Sequence, residues 1–265
     1  MTLYDIDGRL IAAILLVSLL VAMNGGHRLG RRLVPELRER IAGHVNLIQG
    51  SVLGLMALLL GFTFSLSLQR FDSRSEAAVN EANAIRTADL RAQLLPASIR
   101  DAVQQSLRAF VDLRVEMVSD SSPEKAEQNA LVAEARHQVD ELRNQAVEAV
   151  RVDPGSPHTG PYVQAINNMS EALIKRDAAM TRHVPDAVLL LMFGTFLITA
   201  MIMGYATGIA GHRTSFVAYM MIGLIVILAY LIVDLDRPRN GMVQVSEKSL
   251  RDLQADMGMA QAQPR

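Results

Sequence analysis

The sequence predicts an all-α membrane protein with four transmembrane helices and a helical soluble domain between the second and third of them. Of the 265 residues, 50% are hydrophobic and 20% are charged, whereas a soluble domain usually has about 25% charged residues. Apolar residues occur in long runs or at helical spacing, and no segment has the alternating pattern typical of a half-buried strand. We therefore expect helices only, some of them inside a bilayer.

Four apolar segments are each long enough to cross a bilayer, which takes about 20 residues in helical form. They are predicted at residues 10–26, 45–68, 187–205 and 215–233. The stretch before the first segment is acidic and no clear cleavage site follows it, so we interpret it as an uncleaved span rather than a signal peptide. The spans divide the chain into a first membrane hairpin (1–68), a helical soluble domain (69–184), a second membrane hairpin (185–233) and a C-terminal tail with a short helix (234–265).

The soluble domain is predicted to contain four helices separated by turns rich in Pro, Gly and Ser. The second span should continue into this domain as one long helix, because neither Gly nor Pro occurs between Gly61 and Pro96. Ser98 and Ser122 are the predicted N-caps of the next two helices, and Ser246 is that of the short helix in the tail.

One stripe of side chains along the second span has polar residues at both ends and apolar residues in the middle. In a ring of subunits this order would form a pore with a hydrophobic constriction that gates by dewetting. The same hydroxyl and amide groups could instead form hydrogen bonds within their own helix or to a neighbouring one. The predicted pore-lining residues are Gln49, Leu53, Met56, Leu60, Thr63 and Ser67, with the leucines and the methionine at the constriction.

A neighbouring stripe consists of small residues and includes a GxxxG step, which lets another helix backbone approach closely. Packing against another span of the same chain is our main interpretation, and packing between copies of the chain is the alternative. The predicted helix-packing residues are Gly50, Gly54, Ala57, Gly61 and Ser65.

Composition and motifs argue against several classes of function. A formal net charge of −1 argues against nucleic-acid binding, and the lack of cysteine excludes disulfides and thiolate-ligated metals. Glu134 and His137 form only half of a helical di-iron motif, so we predict neither a metal site nor another cofactor. No HExxH motif, P-loop or nucleophile elbow is present, and no carboxylate lies inside a span, so we do not expect an enzyme.

Three separated segments of the chain together resemble the bestrophin-like family of bacterial membrane proteins, over about residues 50–253. They are Leu59-Leu60-Gly61-Phe62-Thr63-Phe64-Ser65 in the second span, Glu81-Ala82-Asn83-Ala84-Ile85 after it, and Asp234-Leu235-Asp236-Arg237-Pro238 after the fourth span. The polar residues of the last two segments, Glu81, Asn83, Asp234, Asp236 and Arg237, are the candidate family-motif positions.

The family is named for its similarity to bestrophins, which are pentameric anion channels whose second membrane helix lines the pore. The resemblance therefore implies an ion channel in the bacterial cytoplasmic membrane that is a homo-oligomer, a pentamer by analogy, with the lipid bilayer and a small inorganic ion as its partners. Leu53, Leu60 and Phe64 become candidate gate residues. The alternative is a membrane-anchored helical scaffold or sensor without transport activity.

Two features of the sequence differ from what the resemblance implies. The arginine-rich segment between the first two spans favours an extracytoplasmic soluble domain, whereas the bestrophin analogy implies a cytosolic one, and we leave the side open. The chain contains no tryptophan and no acidic cluster resembling the bestrophin calcium clasp, which argues against gating by calcium.

Overall fold

The computed structural model describes residues 7–119, 125–211, 215–237 and 243–262. Within these ranges the chain forms eight α-helices and no β-strand, which confirms the predicted all-α class. The helices are α1 (Gly8–Arg31), α2 (Pro35–Ala92), α3 (Ala97–Ser119), α4 (Lys125–Val152), α5 (Thr159–Thr181), α6 (Asp186–Ile209), α7 (Phe216–Asp236) and α8 (Lys248–Ala262).

Four helical segments of the described residues are long and apolar enough to cross a membrane, as predicted. They are Gly8–Arg31, Pro35–Ala92, Thr159–Ile209 and Phe216–Asp236. The second is a single helix of 58 residues, which confirms that the second span continues without a break. The third segment comprises α5 and α6, of which α6 contains the predicted span.

The chain divides into two compact units. The first, here called the membrane unit, comprises Met1–Phe71 and His183–Val243, and the second, the helical unit, comprises Asp72–Arg182 and Gln244–Arg265. The units divide after Phe71 and after Arg182. Both positions lie within three residues of the predicted boundaries of the soluble domain, at residues 69 and 184. The tail differs, because its first ten residues group with the membrane unit rather than with the terminal helix.

The connection between α1 and α2 is much shorter than the gap between the predicted spans. Only residues 32–34 are non-helical, since polar residues extend both helices beyond their apolar parts. Pro35 occupies the first position of α2, where its missing N–H group removes no helical hydrogen bond. The Arg38 guanidinium donates from Nε to the Leu33 carbonyl at 2.7 Å and from Nη2 to the Arg31 carbonyl, so it satisfies carbonyls at the end of α1.

The closest helix packing in the membrane unit is between α1 and α6, which run parallel. A Cβ atom at Gly26 would overlap the carbonyl oxygen of Met201, and one at Gly204 would overlap that of Met23. Gly30 and Gly208, one turn further along each helix, meet the opposite backbone in the same way. Each helix thus contributes one GxxxG step, and this contact requires glycine on both sides.

Large apolar side chains fill the core of each unit. In the membrane unit Leu19, Met23, Phe196, Ile222 and Ile232 are fully buried. The core of the helical unit includes the fully buried Ile85, Leu107, Phe110, Leu142 and Met169.

The tail helix α8 packs on α3 in the helical unit. Its Leu250 and Leu253 belong to the core of that unit, and Gln254 donates to a carboxylate oxygen of Asp112 at 2.7 Å. Ser246 Oγ accepts a hydrogen bond from the backbone N–H of Lys248 at 3.4 Å, so it caps the start of α8 as predicted with its side chain, although the first helical carbonyl acceptor is that of Glu247.

The other two predicted N-caps have different outcomes. Ser98 is the second residue of α3 rather than its cap, because the carbonyl of Pro96 already accepts hydrogen bonds from the N–H groups of Ile99 and Arg100. The predicted cap at Ser122 lies outside the described residues.

Tyr162 is expected to destabilise the helical unit through its hydroxyl group. The side chain is fully buried, burial raises the pKa of its phenol, and no described residue forms a hydrogen bond with the hydroxyl. Because an unpaired buried hydroxyl costs about 1 kcal/mol or more, Tyr162→Phe should raise the thermal unfolding midpoint of the detergent-solubilised protein. Tyr230→Phe, which removes the same atom from a half-buried ring, should change it little. A lower midpoint for Tyr162→Phe would contradict this prediction.

Candidate pore helix and buried charge clusters

The predicted pore-lining residues lie on the face of α2 that packs within the protomer. Three of them are buried, namely Met56, Thr63 and Ser67. The other three, Gln49, Leu53 and Leu60, are half-buried. Met56 belongs to the core of the membrane unit, and Leu53 and Leu60 pack against that core. The three buried residues pack within the protomer, and a pore-lining role for the six residues stays a prediction.

The predicted helix-packing residues lie on exposed positions of α2: Gly50, Gly54, Ala57, Gly61 and Ser65. No described atom is within 4 Å of a Cβ atom placed at any of the three glycines. Our main interpretation was that these residues pack against another span of the same protomer. In the described structure they do not. Packing against another copy stays a prediction.

A second polar–apolar–polar stripe runs along the exposed side of α2. Leu55, Leu58 and Phe62 form its apolar middle, with 53, 56 and 63% of each residue exposed. The exposed stripe consists of Ser51, Leu55, Leu58, Phe62, Ser65 and Gln69. Its order and its spacing of three and four residues match those of the predicted pore-lining residues, at about 160° around the helix from them.

The exposed surfaces of α6 and α7 have a different composition. Along their apolar segments the large exposed side chains are apolar and mostly aliphatic, among them Leu190, Ile198, Leu224 and Ile227. Such surfaces suit contact with lipid tails, whereas serine and glutamine on the exposed side of α2 suit contact with water or with another protein surface.

Glu81, the first residue of a family-like motif, lies at the centre of a buried ion-pair cluster in the helical unit. Its Oε1 is 2.7 Å from Arg114 Nε, and its Oε2 accepts hydrogen bonds from Arg114 Nη2 at 3.1 Å and from Arg176 Nη1. All three side chains are at most 5% exposed. One carboxylate therefore joins α2 to α3 and α5.

Arg176 connects this cluster to the segment that precedes α8. Its Nη2 donates to Glu247 Oε1 at 2.7 Å. Burial by itself would lower the pKa of Arg176, but the charges and hydrogen bonds of Glu81 and Glu247 outweigh it and raise the pKa above its usual range. The guanidinium therefore remains charged inside the unit.

Arg74 is a buried residue of α2 whose role the sequence interpretation missed. It is 1% exposed and donates from Nε to the Ala179 carbonyl at 3.3 Å and from Nη2 to the Arg182 carbonyl at 2.7 Å. A cation at these carbonyls is favourable because they lie at the C-terminal end of α5. The signal was available in the sequence, since steps of three and four residues from Arg74 lead to the buried Ala78 and Glu81.

The polar residues of the motif after the fourth span bond to nearby backbone. Asp234 Oδ2 accepts from the N–H group of Val243 at 3.1 Å, and Asp236 Oδ2 accepts from that of Val184 at 3.0 Å. Both carboxylates and the adjacent Arg237 are buried. These bonds fix the entry to α6 and the exit from α7, which explains why the start of the tail groups with the membrane unit.

Asn83, the remaining family-motif residue, is exposed on α2, and its backbone carbonyl accepts a hydrogen bond from Thr87 Oγ1 at 2.8 Å. Among the described residues, no group of three or more His, Asp or Glu side chains is arranged to hold a metal ion.

Comparison with solved structures gives the same architecture in a bacterial bestrophin homologue from Klebsiella pneumoniae. One crystal structure of a variant of that protein matches with a TM-score of 0.69 at 15% sequence identity, over 95% of this chain and 98% of that chain. A second variant matches with a TM-score of 0.67 at 17% identity over the same shares. At this level of sequence identity the similarity shows only that the two proteins share a fold.

Comparison by sequence identifies the family. No curated protein sequence gives a match. The family model of the Bestrophin-like domain, in contrast, matches residues 17–250, which contain helices α2 to α7 in full, parts of α1 and α8, and both family-like motifs outside the second span. The chain therefore belongs to the bestrophin-like family.

Proposed function

We propose that the protein is a passive ion channel of the bacterial cytoplasmic membrane, in which the α2 helices of several copies surround a pore. The observation that supports this function is the exposed stripe of α2, whose serine and glutamine side chains differ from the aliphatic surfaces of α6 and α7. Membership of the bestrophin-like family supports the same proposal.

The order of residues along the exposed stripe suits a gated pore. Leu58 and Phe62 would form a hydrophobic constriction, which closes a narrow pore by excluding water. Ser51 on one side and Ser65 and Gln69 on the other would supply hydrogen-bonding groups to a hydrated ion. Our proposal therefore assigns the pore lining to the exposed stripe rather than to the stripe that the sequence predicted.

Assembly of copies would use the small residues beside the exposed stripe. Gly50, Gly54 and Gly61 leave the α2 backbone accessible, so a second α2 helix could approach it closely. In this arrangement the homo-oligomer buries Gly50, Gly54 and Gly61, and the lipid bilayer covers the aliphatic surfaces of α6 and α7.

Widening the constriction is expected to increase ion flux. Phe62→Ala removes a ring that is largely exposed in the protomer, so the fold should tolerate it. If the dewetting barrier falls by about 1.4 kcal/mol, flux should rise about tenfold. Flux is measured in liposomes that contain the purified oligomer, with a dye that reports dissipation of an ion gradient.

Phe64→Ala is the matched control, because Phe64 lies two residues further along the same helix but packs against the core of the membrane unit. It should leave flux unchanged in protein that elutes as the same oligomer. Equal increases from the two variants would contradict the assignment of the exposed stripe to the pore. No flux from wild type or either variant, with the oligomer intact, would favour the scaffold or sensor function instead.

A further inference from the structure

Cationic side chains are concentrated where α1 meets α2. The segment of residues 28–40, here called the arginine turn, contains Arg28, Arg31, Arg32, Arg38 and Arg40. Glu36 and Glu39 are its only acidic residues, so its formal charge is +3. Because only residues 32–34 are non-helical, these charges gather at one end of the membrane unit rather than along an extended loop.

Four of the five guanidinium groups are available to a ligand. Arg38 satisfies backbone carbonyls at the end of α1. The other four arginines are exposed, and none of their side chains forms an ion pair or a hydrogen bond within the described ranges. Like charges that lie close together repel one another, and bound anions would reduce this repulsion.

Apolar side chains are exposed among these arginines. Leu29, Val34 and Leu37 are 50, 58 and 41% exposed. Arg31 follows Gly26, the end of the predicted apolar span, by five residues, or about 8 Å along the helix. The polar layer on each side of a bilayer is about 5–8 Å thick, so the arginine turn lies at the depth of the lipid headgroups.

We propose that the arginine turn binds the phosphate headgroups of anionic phospholipids. Guanidinium groups form paired hydrogen bonds with phosphate oxygens, while Leu29, Val34 and Leu37 contact the first methylene groups of the acyl chains. The net positive charge of the segment selects an anionic lipid over a zwitterionic one. Binding needs only the membrane unit in a bilayer and does not depend on ion conduction.

A tryptophan reporter measures the lipid composition next to this surface. The chain contains no tryptophan, so Leu37→Trp introduces a single fluorophore within the arginine turn. The full-length protein is reconstituted in mixed vesicles of phosphatidylglycerol and phosphatidylcholine, with one lipid brominated in each set. Bromine quenches tryptophan only at close range, so the two sets together give the relative binding constant of the lipids at the reporter.

Phosphatidylglycerol should be enriched at the Leu37→Trp reporter, with a relative binding constant at least about fivefold above that of phosphatidylcholine. Adding Arg28→Gln, Arg31→Gln and Arg32→Gln should return this constant to about one, whereas lysine at the same positions should retain most of the enrichment. The control reporter is Leu190→Trp. It lies near the start of α6, whereas Gly208, which packs on α1 at Gly30 beside the arginine turn, lies near the end of α6. Its quenching should not respond to the arginine substitutions.

Equal quenching by the two brominated lipids in the Leu37→Trp protein would overturn the proposal, as would enrichment that survives the three glutamine substitutions. Circular dichroism and gel filtration of each variant establish that it is folded before the lipids are compared. Ion flux is not part of this readout, so failure of the channel proposal and failure of the lipid proposal can be told apart.

Discussion

Gly204→Ala is expected to separate α1 from α6 and to destabilise the membrane unit by about 3 kcal/mol. The added methyl group would overlap the carbonyl oxygen of Met23 and approach its carbonyl carbon to 2.7 Å. Both atoms belong to the backbone, so no side-chain rotation can relieve the overlap. Gly26→Ala should have a similar effect, since its Cβ would meet the backbone of Met201. We expect a lower unfolding midpoint by circular dichroism and less monodisperse protein after heating in detergent.

Gly25→Ala is the matched control for this prediction. Gly25 is the neighbour of Gly26 in α1, but no described atom lies within 4 Å of a Cβ atom placed there. The substitution should leave the unfolding midpoint unchanged or raise it slightly, because alanine is the better helix former. If Gly25→Ala and Gly204→Ala lowered the midpoint equally, close packing of α1 on α6 would not be the cause.

Glu81→Gln is expected to destabilise the helical unit by about 3–5 kcal/mol. The substitution keeps the size of the side chain but removes the negative charge that Arg114 and Arg176 share. Both guanidinium groups are buried, and Arg114 would then have no acidic partner among the described residues. For a protein of this size the loss corresponds to a decrease in unfolding midpoint on the order of 10 °C, which thermal denaturation of the full chain can measure.

Glu171→Gln tests whether this effect depends on burial. Glu171 pairs with Lys175 one turn along α5 at 3.6 Å, and both side chains are largely exposed. Exposed pairs of this kind contribute about 0.5 kcal/mol or less. We therefore expect Glu171→Gln to change the unfolding midpoint little. If Glu171→Gln and Glu81→Gln lowered the midpoint by similar amounts, the cluster around Glu81 would be no more stabilising than a surface pair.

The spans and the all-α class could be predicted because they depend on local composition. A run of about 20 apolar residues is stable only inside a bilayer or a core, whatever the rest of the chain does. The unbroken continuation of the second span was likewise predictable, since neither Gly nor Pro interrupts α2 between Gly61 and its end, but the start of α2 at Pro35, ten residues before the predicted span, was not. The short helix of the tail followed from the capping residue Ser246.

The two stripes of α2 could not be told apart from the sequence. The predicted pore-lining residues and the exposed stripe have the same polar–apolar–polar order at the same spacing. Helical periodicity identifies which residues share a face, but it does not say whether that face meets the protomer, a neighbouring copy or water. Only the folded structure shows that Met56, Thr63 and Ser67 are buried in the protomer and that the opposite face of α2 is exposed.

Which segments form helices, and which of these are apolar enough to enter the bilayer, could be predicted because both properties arise within about 20 consecutive residues. Which GxxxG step packs in the protomer, and which acid pairs with Arg114 and Arg176, became known from the folded arrangement of the helices. These contacts join residues far apart in the chain, such as Gly26 with Met201 and Glu81 with Arg176. Their selection depends on how whole helices fit together, which no local pattern encodes.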